Sequence, residues 1–147
     1  MTPRTETHET GSVEETLAVA ARLASTLRAG DVVYLEGELG TGKTHFVKGL
    51  AVGLGIDPDD IRSPTFTFVD VHAPASAGRI GLVHVDLYRI ADVADLAELG
   101  LEDLPGEGAV LALEWPDRLV RRSLRAVLVR IADLGGTRRR IEVVRPA

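Results

Sequence analysis

The sequence predicts an α/β sandwich built around a mixed central sheet. Three features of the chain lead there. Through the first half, short apolar runs suited to buried strands alternate with stretches of helical periodicity. A glycine-rich turn over residues 37–44 separates the first such strand from the helix after it. At the C-terminus two β-rich runs are joined through Leu134-Gly-Gly-Thr137, a plausible antiparallel hairpin.

Taken in order, residues 1–11 are polar, rich in Thr and Glu, and have nothing to bury. They read as a mobile lead to one domain over 12–147. Ser12-Val-Glu-Glu15 is a capping box, in which hydroxyl and carboxylate satisfy orphan N–H groups reciprocally. Val13, Leu17, Ala20, Ala24 and Leu27 follow at helical spacing, and Gly30 supplies a stop. Residues 31–36 form an apolar run for a strand buried on both faces. A second helix is expected from Lys43 to about Leu54, then a strand over 63–72 and an exposed loop over 73–78. Residues 82–88 read as a strand whose alternation puts His84, Asp86 and Tyr88 on one face. A helix over 92–99 carries Val93, Leu96 and Leu99 on one side and ends at Gly100. Residues 109–114 are a further apolar strand ending in an acid, and 116–122 allow a short helix. The last strands are expected over 126–132 and 138–145.

Composition narrows the chemistry. With 147 residues and 45% apolar content, a real core needs no staples. There is no Cys, which removes disulfides, thiolate metal sites and cysteine nucleophiles together. Only 4% of residues are aromatic, too few for a base-stacking platform, and the net charge of −5 argues against a basic nucleic-acid binder. No apolar run reaches the roughly 18–20 residues of a membrane span, and the N-terminus lacks the apolar core of a signal peptide. A soluble cytoplasmic protein is expected.

Gly37-Glu38-Leu39-Gly40-Thr41-Gly42-Lys43-Thr44 fits the pattern G-x-x-x-x-G-K-[ST] at every fixed position, between a strand and a helix. Glycines let the backbone curl so that successive N–H groups face phosphate oxygens. The following helix aims its positive end at the same oxygens. Lys43 neutralises the β- and γ-phosphates, and the Thr44 hydroxyl suits a magnesium ion. Lys43 is one of only two lysines beside fifteen arginines, which fits a compact point charge kept for a phosphate. Nucleoside triphosphate binding follows, on a P-loop NTPase-like three-layer sandwich.

Hydrolysis needs a further acid near the metal, and two strand-end residues qualify, Asp86 and Glu114; the spacing alone does not assign their roles. Ser63-Pro-Thr65-Phe-Thr67 is a hydroxyl-bearing segment between the second helix and the next strand, and it reads equally as a γ-phosphate sensor and as an ordinary strand entry. The four histidines show no metal-ligand spacing. Arg138-Arg-Arg140 reads mainly as a solvated hairpin edge, otherwise as a contact for an acidic or nucleotide partner. The chain has no Asn and no Gln, so it lacks both the Asn-Lys-x-Asp element and the water-orienting Gln of GTPases. Two alternatives remain: a small-molecule kinase, with the Arg118 to Arg125 segment as its lid, and a non-enzymatic module in which the nucleotide acts only as a conformational switch.

The phosphate loop, Ser63-Pro-Thr-Phe-Thr67, His84-Val-Asp-Leu-Tyr-Arg89 and Glu114-Trp-Pro116 together resemble the TsaE family, across roughly residues 12–116. These are small bacterial ATPases of tRNA threonylcarbamoyladenosine biosynthesis. The resemblance implies that ATP binding and hydrolysis support the turnover of a TsaB–TsaD complex, with tRNA reached through that complex. It implies phosphate binding by residues 38–44, magnesium held by Thr44 and Glu114, and a catalytic or water-positioning Asp86. Ser63, Thr65 and Thr67 would form the nucleotide-responsive switch, with Trp115 beside the site. Weak intrinsic hydrolysis, stimulated by the partners, is the implied activity.

Overall fold

The structure is a computed structural model that describes residues 2–38, 40–62, 69–88, 108–123 and 125–146. In chain order its elements are β1 (Arg4–Thr10), α1 (Val13–Ala24), β2 (Val32–Glu36), α2 (Lys43–Leu54), β3 (Val69–His72), β4 (Gly81–Asp86), β5 (Ala109–Glu114), β6 (Val127–Gly135) and β7 (Arg138–Arg145). The seven described strands form one sheet in the order β1-β7-β6-β2-β5-β4-β3. The middle four, β6-β2-β5-β4, run parallel. Antiparallel pairs close both flanks, β3 on β4 at one side and β6-β7-β1 at the other. The mixed sheet and the C-terminal hairpin expected from the sequence are both present.

The parallel strands are buried on both faces, as their unbroken apolar runs require. On one face Val33, Leu35, Leu82, Val110, Ala112 and Val129 pack against Leu23, Phe46, Val47 and Leu50 of the helices. On the other, Tyr34, Val83, Val85, Leu111 and Leu113 form a second cluster with Leu119. Both described helices cover the first face, so two of the three expected layers are described. The helix expected over 92–99 lies outside the described residues.

Close approach of α1 and α2 depends on two glycines. A Cβ on Gly49 would sit 2.5 Å from Ala20 Cβ and 2.6 Å from the Leu17 carbonyl. One on Gly53 would meet the Ala21 carbonyl at 2.5 Å. The helices therefore touch backbone to backbone, which fixes the start of α2 relative to the sheet.

Several expectations need correction. Residues 4–10 are not a mobile lead. They form strand β1, paired antiparallel with Arg139 to Arg145 of β7. A ladder at the sheet edge is satisfied by backbone groups and needs no apolar side chains, and the opposed Glu9 and Arg140 (3.9 Å) add cross-strand charge pairing. Helix α1 stops at Ala24 rather than near Gly30, because the Ser25 and Thr26 hydroxyls donate to the Arg22 and Leu23 carbonyls and compete with further helix. Its start is capped as expected, with the Glu15 N–H donating to Ser12 Oγ at 3.2 Å, although the Glu15 carboxylate reaches the N–H of Gly11 rather than of Ser12. The short helix of 116–122 is a single 3₁₀ turn, Pro116–Arg118. Of the strand over 63–72, only Val69–His72 falls within the described residues.

Candidate functional site

Strand β2 carries the chain to the C-terminal edge of the parallel sheet, and α2 leaves from there. Between them the loop read from the sequence as a phosphate loop turns on glycines, with φ of +79° at Gly40 and +100° at Gly42. Gly37 has no room for a side chain, since a Cβ would lie 2.7 Å from Thr41 Oγ1 and 2.8 Å from the Ile131 carbonyl. The loop is braced from within by Thr41, whose hydroxyl donates to the Glu38 carbonyl at 2.8 Å.

Parallel pairing of β4 with β5 sets Asp86 opposite Glu114 at the ends of neighbouring strands. Both face the start of α2. A cleft of about 360 Å³ is lined by Gly40, Gly42, Lys43, Thr44, Asp86, Tyr88, Glu114, Trp115 and Arg139, among others. The sequence readings at Gly40, Gly42, Lys43, Thr44, Asp86, Glu114 and Trp115 thus fall around one space. Glu38 and Thr41 line a neighbouring cavity of about 560 Å³ on the far side of the loop, which Trp115 also borders. Leu39, Ser63, Thr65 and Thr67 lie outside the described residues.

Lys43 is buried, and its ammonium donates to the Gly37 carbonyl while sitting 3.7 Å from the centroid of the Trp115 ring. Burial pulls its pKa below the ordinary lysine value, against the opposing pull of Glu114 and Asp86. Trp115 is the one described non-glycine residue with positive φ (+63°), a left-handed conformation that costs about 1–2 kcal/mol. That turn sets the indole over the lysine and against Tyr88, with ring centroids 5.0 Å apart. Burial raises the Asp86 pKa, a shift the Tyr88 N–H opposes by donating to its carboxylate at 2.9 Å. A half-buried carboxylate with an elevated pKa beside a cation is the kind of group that can accept a proton.

Sequence reasoning did not place two residues here. His84 is fully buried, and its Nε2 bonds Glu114 Oε2 at 2.6 Å. The alternation of β4 put His84 on the Asp86 face, but its partner emerges only from the register with β5. The second is Arg139, within the run read mainly as a solvated edge. Its side chain is only 16% exposed and its Nε donates to the Thr41 carbonyl at 2.6 Å. Nothing in the run Arg138-Arg-Arg140 singled out its middle member.

The donor chemistry suits a hard cation. Thr44 and Glu114 offer a hydroxyl and a carboxylate to the same cleft, with the Asp86 carboxylate beside them. Among the described residues no three His, Cys, Asp or Glu side chains form a cage of their own. Such a donor set fits magnesium arriving with phosphate oxygens, which completes its shell from water and substrate.

Known proteins of similar sequence and fold identify the family. The family model described as threonylcarbamoyl adenosine biosynthesis protein TsaE matches residues 10–141. A Mycobacterium leprae protein named tRNA threonylcarbamoyladenosine biosynthesis protein TsaE is 44% identical over 108 residues, covering 70% of this chain and 66% of its own length, just under two thirds. The Bacillus subtilis protein of that name is 40% identical over 125 residues, covering 82% of this chain and 75% of itself. The crystal structure of Bacillus subtilis YdiB superposes with a TM-score of 0.75 at 30% identity, covering 100% of this chain and 89% of that one.

Proposed function

The chain belongs to the TsaE family of threonylcarbamoyl adenosine biosynthesis proteins, and from that premise we propose that it is a P-loop ATPase acting in the threonylcarbamoyladenosine modification of tRNA. The observation that carries the reading is the convergence of Lys43, Thr44, Asp86 and Glu114 on one cleft at the N-terminus of α2.

ATP enters with its phosphates against the loop backbone at 38–44. Lys43 exchanges the Gly37 carbonyl and the Trp115 ring for phosphate oxygens, a move of a flexible side chain that needs no backbone shift. Thr44 and Glu114 would hold a magnesium ion, which would supply neutralisation of phosphate charge. Asp86 orients the attacking water and accepts its proton as the water oxygen bonds the γ-phosphorus and the β–γ bridge oxygen leaves. Ser63, Thr65 and Thr67 supply the nucleotide-responsive switch, and Trp115 reports on it from beside the site.

Unassisted turnover is slow. Arg118 donates to the Tyr88 carbonyl, Arg122 pairs with Glu36 and Asp117, and Arg139, which lines the cleft, donates to the Thr41 carbonyl. Arg118 and Arg122 also belong to the segment that the kinase alternative would use as its lid. A charge-stabilising group from a partner raises such rates by orders of magnitude. TsaD and TsaB are the proposed partners, in the cytoplasm, with tRNA met through their complex. Among the described residues no helix is long and apolar enough to cross a membrane.

Phosphate release from ATP, measured with and without a TsaB–TsaD complex, tests the reading. Slow release that rises at least tenfold with the complex is expected; equal rates contradict it.

A further inference from the structure

We propose that Arg139, at the start of β7, is a positioning residue of the phosphate loop: it fixes the peptide plane between Thr41 and Gly42 so that the loop is organised for phosphate before a ligand arrives. The inference rests on the reading of this loop as a phosphate site, and adds a role for the C-terminal hairpin in building it.

A trans peptide is planar and carries its C=O and N–H on opposite sides. The described chain has no cis bond. Arg139 Nε–H donates to the Thr41 carbonyl at 2.6 Å, so the same plane directs the Gly42 N–H away from the guanidinium. That N–H is one of the donors the loop must present to an anion. Without an anchor this plane is the loop's weak point. Gly42 sits at φ +100° and tolerates either hand, so little backbone energy opposes a flip that would put a carbonyl where a phosphate oxygen belongs.

The anchor itself is rigid. Arg139 Nη1 donates to the Gly136 carbonyl at 2.7 Å, to the Arg138 carbonyl at 2.8 Å and to Asp133 Oδ1 at 3.1 Å. All of these acceptors belong to the β6–β7 hairpin, which is paired along its length and extended by β1. The hairpin thus acts as a fixed wall on which one peptide of the loop is hung.

The test measures binding of inorganic tripolyphosphate, which reports the loop without a nucleoside, to the full chain by calorimetry and by the Gly42 amide NMR signal. Arg139→Ala is expected to weaken tripolyphosphate about tenfold, the loss expected for one bond to a charged donor, and to abolish the ligand-induced Gly42 shift. Asp133→Ala separates positioning from bulk charge. It makes the protein less negative, so electrostatics alone tightens anion binding, whereas loosening the guanidinium weakens it; a loss of two- to fivefold is expected. Wild-type affinity in Arg139→Ala, or tighter binding in Asp133→Ala, overturns the proposal. A wild-type protein that ignores tripolyphosphate while the Gly42 signal stays still removes the phosphate-site reading itself, a distinct failure.

Discussion

His84 and Glu114, thirty residues apart in sequence, form a buried imidazole–carboxylate pair at 2.6 Å across β4 and β5. The bond occupies one Glu114 oxygen and leaves the other for the cleft, so the carboxylate is oriented before any ligand binds. Removing one partner strands the other. His84→Leu is expected to cost about 3 kcal/mol in urea denaturation, because a buried carboxylate loses its donor. Combining it with Glu114→Leu should recover stability to within about 1 kcal/mol of wild type, since an apolar pair of similar volume avoids desolvation. Strictly additive losses would show that the two side chains do not act as a pair.

Lys43 carries an electrostatic cost of burial at the proposed phosphate site. Burial holds its pKa below the usual value, so the folded state disfavours the charged form. That cost is fully present below the folded pKa and disappears as pH rises past the ordinary value of 10.5. Lys43→Met should therefore melt no lower than wild type at pH 7 without ligand. With ATP and magnesium at 100 times Kd, wild type should gain about 2.7 kcal/mol and the variant nothing. A variant that still gains stability would remove Lys43 from the site.

Asp86 has the opposite charge and the same logic. Its pKa is raised by burial, so ionisation costs more folded than unfolded. The cost is absent below the ordinary value of 3.8 and complete above the folded pKa. Asp86→Asn should thus be at least as stable as wild type at pH 7, bind ATP, and hydrolyse it at least a hundredfold more slowly. The acid limb of wild-type kcat/KM, which reports the unliganded protein, should have its midpoint above 3.8. Normal hydrolysis by Asp86→Asn would move the base elsewhere.

Trp115 is the chain's sole tryptophan, so its emission is uncomplicated. The Lys43 ammonium lies over its ring. Transfer of that charge to a phosphate should change the fluorescence saturably with ATP, and Lys43→Met should abolish the change. A wild-type signal indifferent to saturating ATP would show that the lysine stays over the ring.

The contact of α1 with α2 makes its own demand. Gly49→Ala improves helix propensity by about 1 kcal/mol, yet its Cβ would meet Ala20 and the Leu17 backbone within 2.6 Å. Overpacking should win, with a net loss of about 1–2 kcal/mol in chemical denaturation. A stabilised variant would mean that the helices separate easily.

What the sequence disclosed follows from where its signals are local. The glycines and lysine of the phosphate loop, the Ser12 cap and the apolar runs of β2 and β5 each declare themselves within eight residues. Strand β1 did not, because an edge strand stabilised by backbone pairing with β7 carries no apolar alternation. The His84–Glu114 bond and the reach of Arg139 to Thr41 depend on register between segments thirty and ninety-eight residues apart. No local pattern encodes a register. The helix end at Ala24 was missed for a different reason: two hydroxyls outcompeted an apolar periodicity that continued past them.

The central claim is that this loop grips a nucleoside triphosphate, and calorimetric titration of the full chain with ATP and magnesium tests it most directly. A saturable, one-site heat that vanishes in Lys43→Met is the predicted result. No heat from the wild type, or the same heat from the variant, would contradict it.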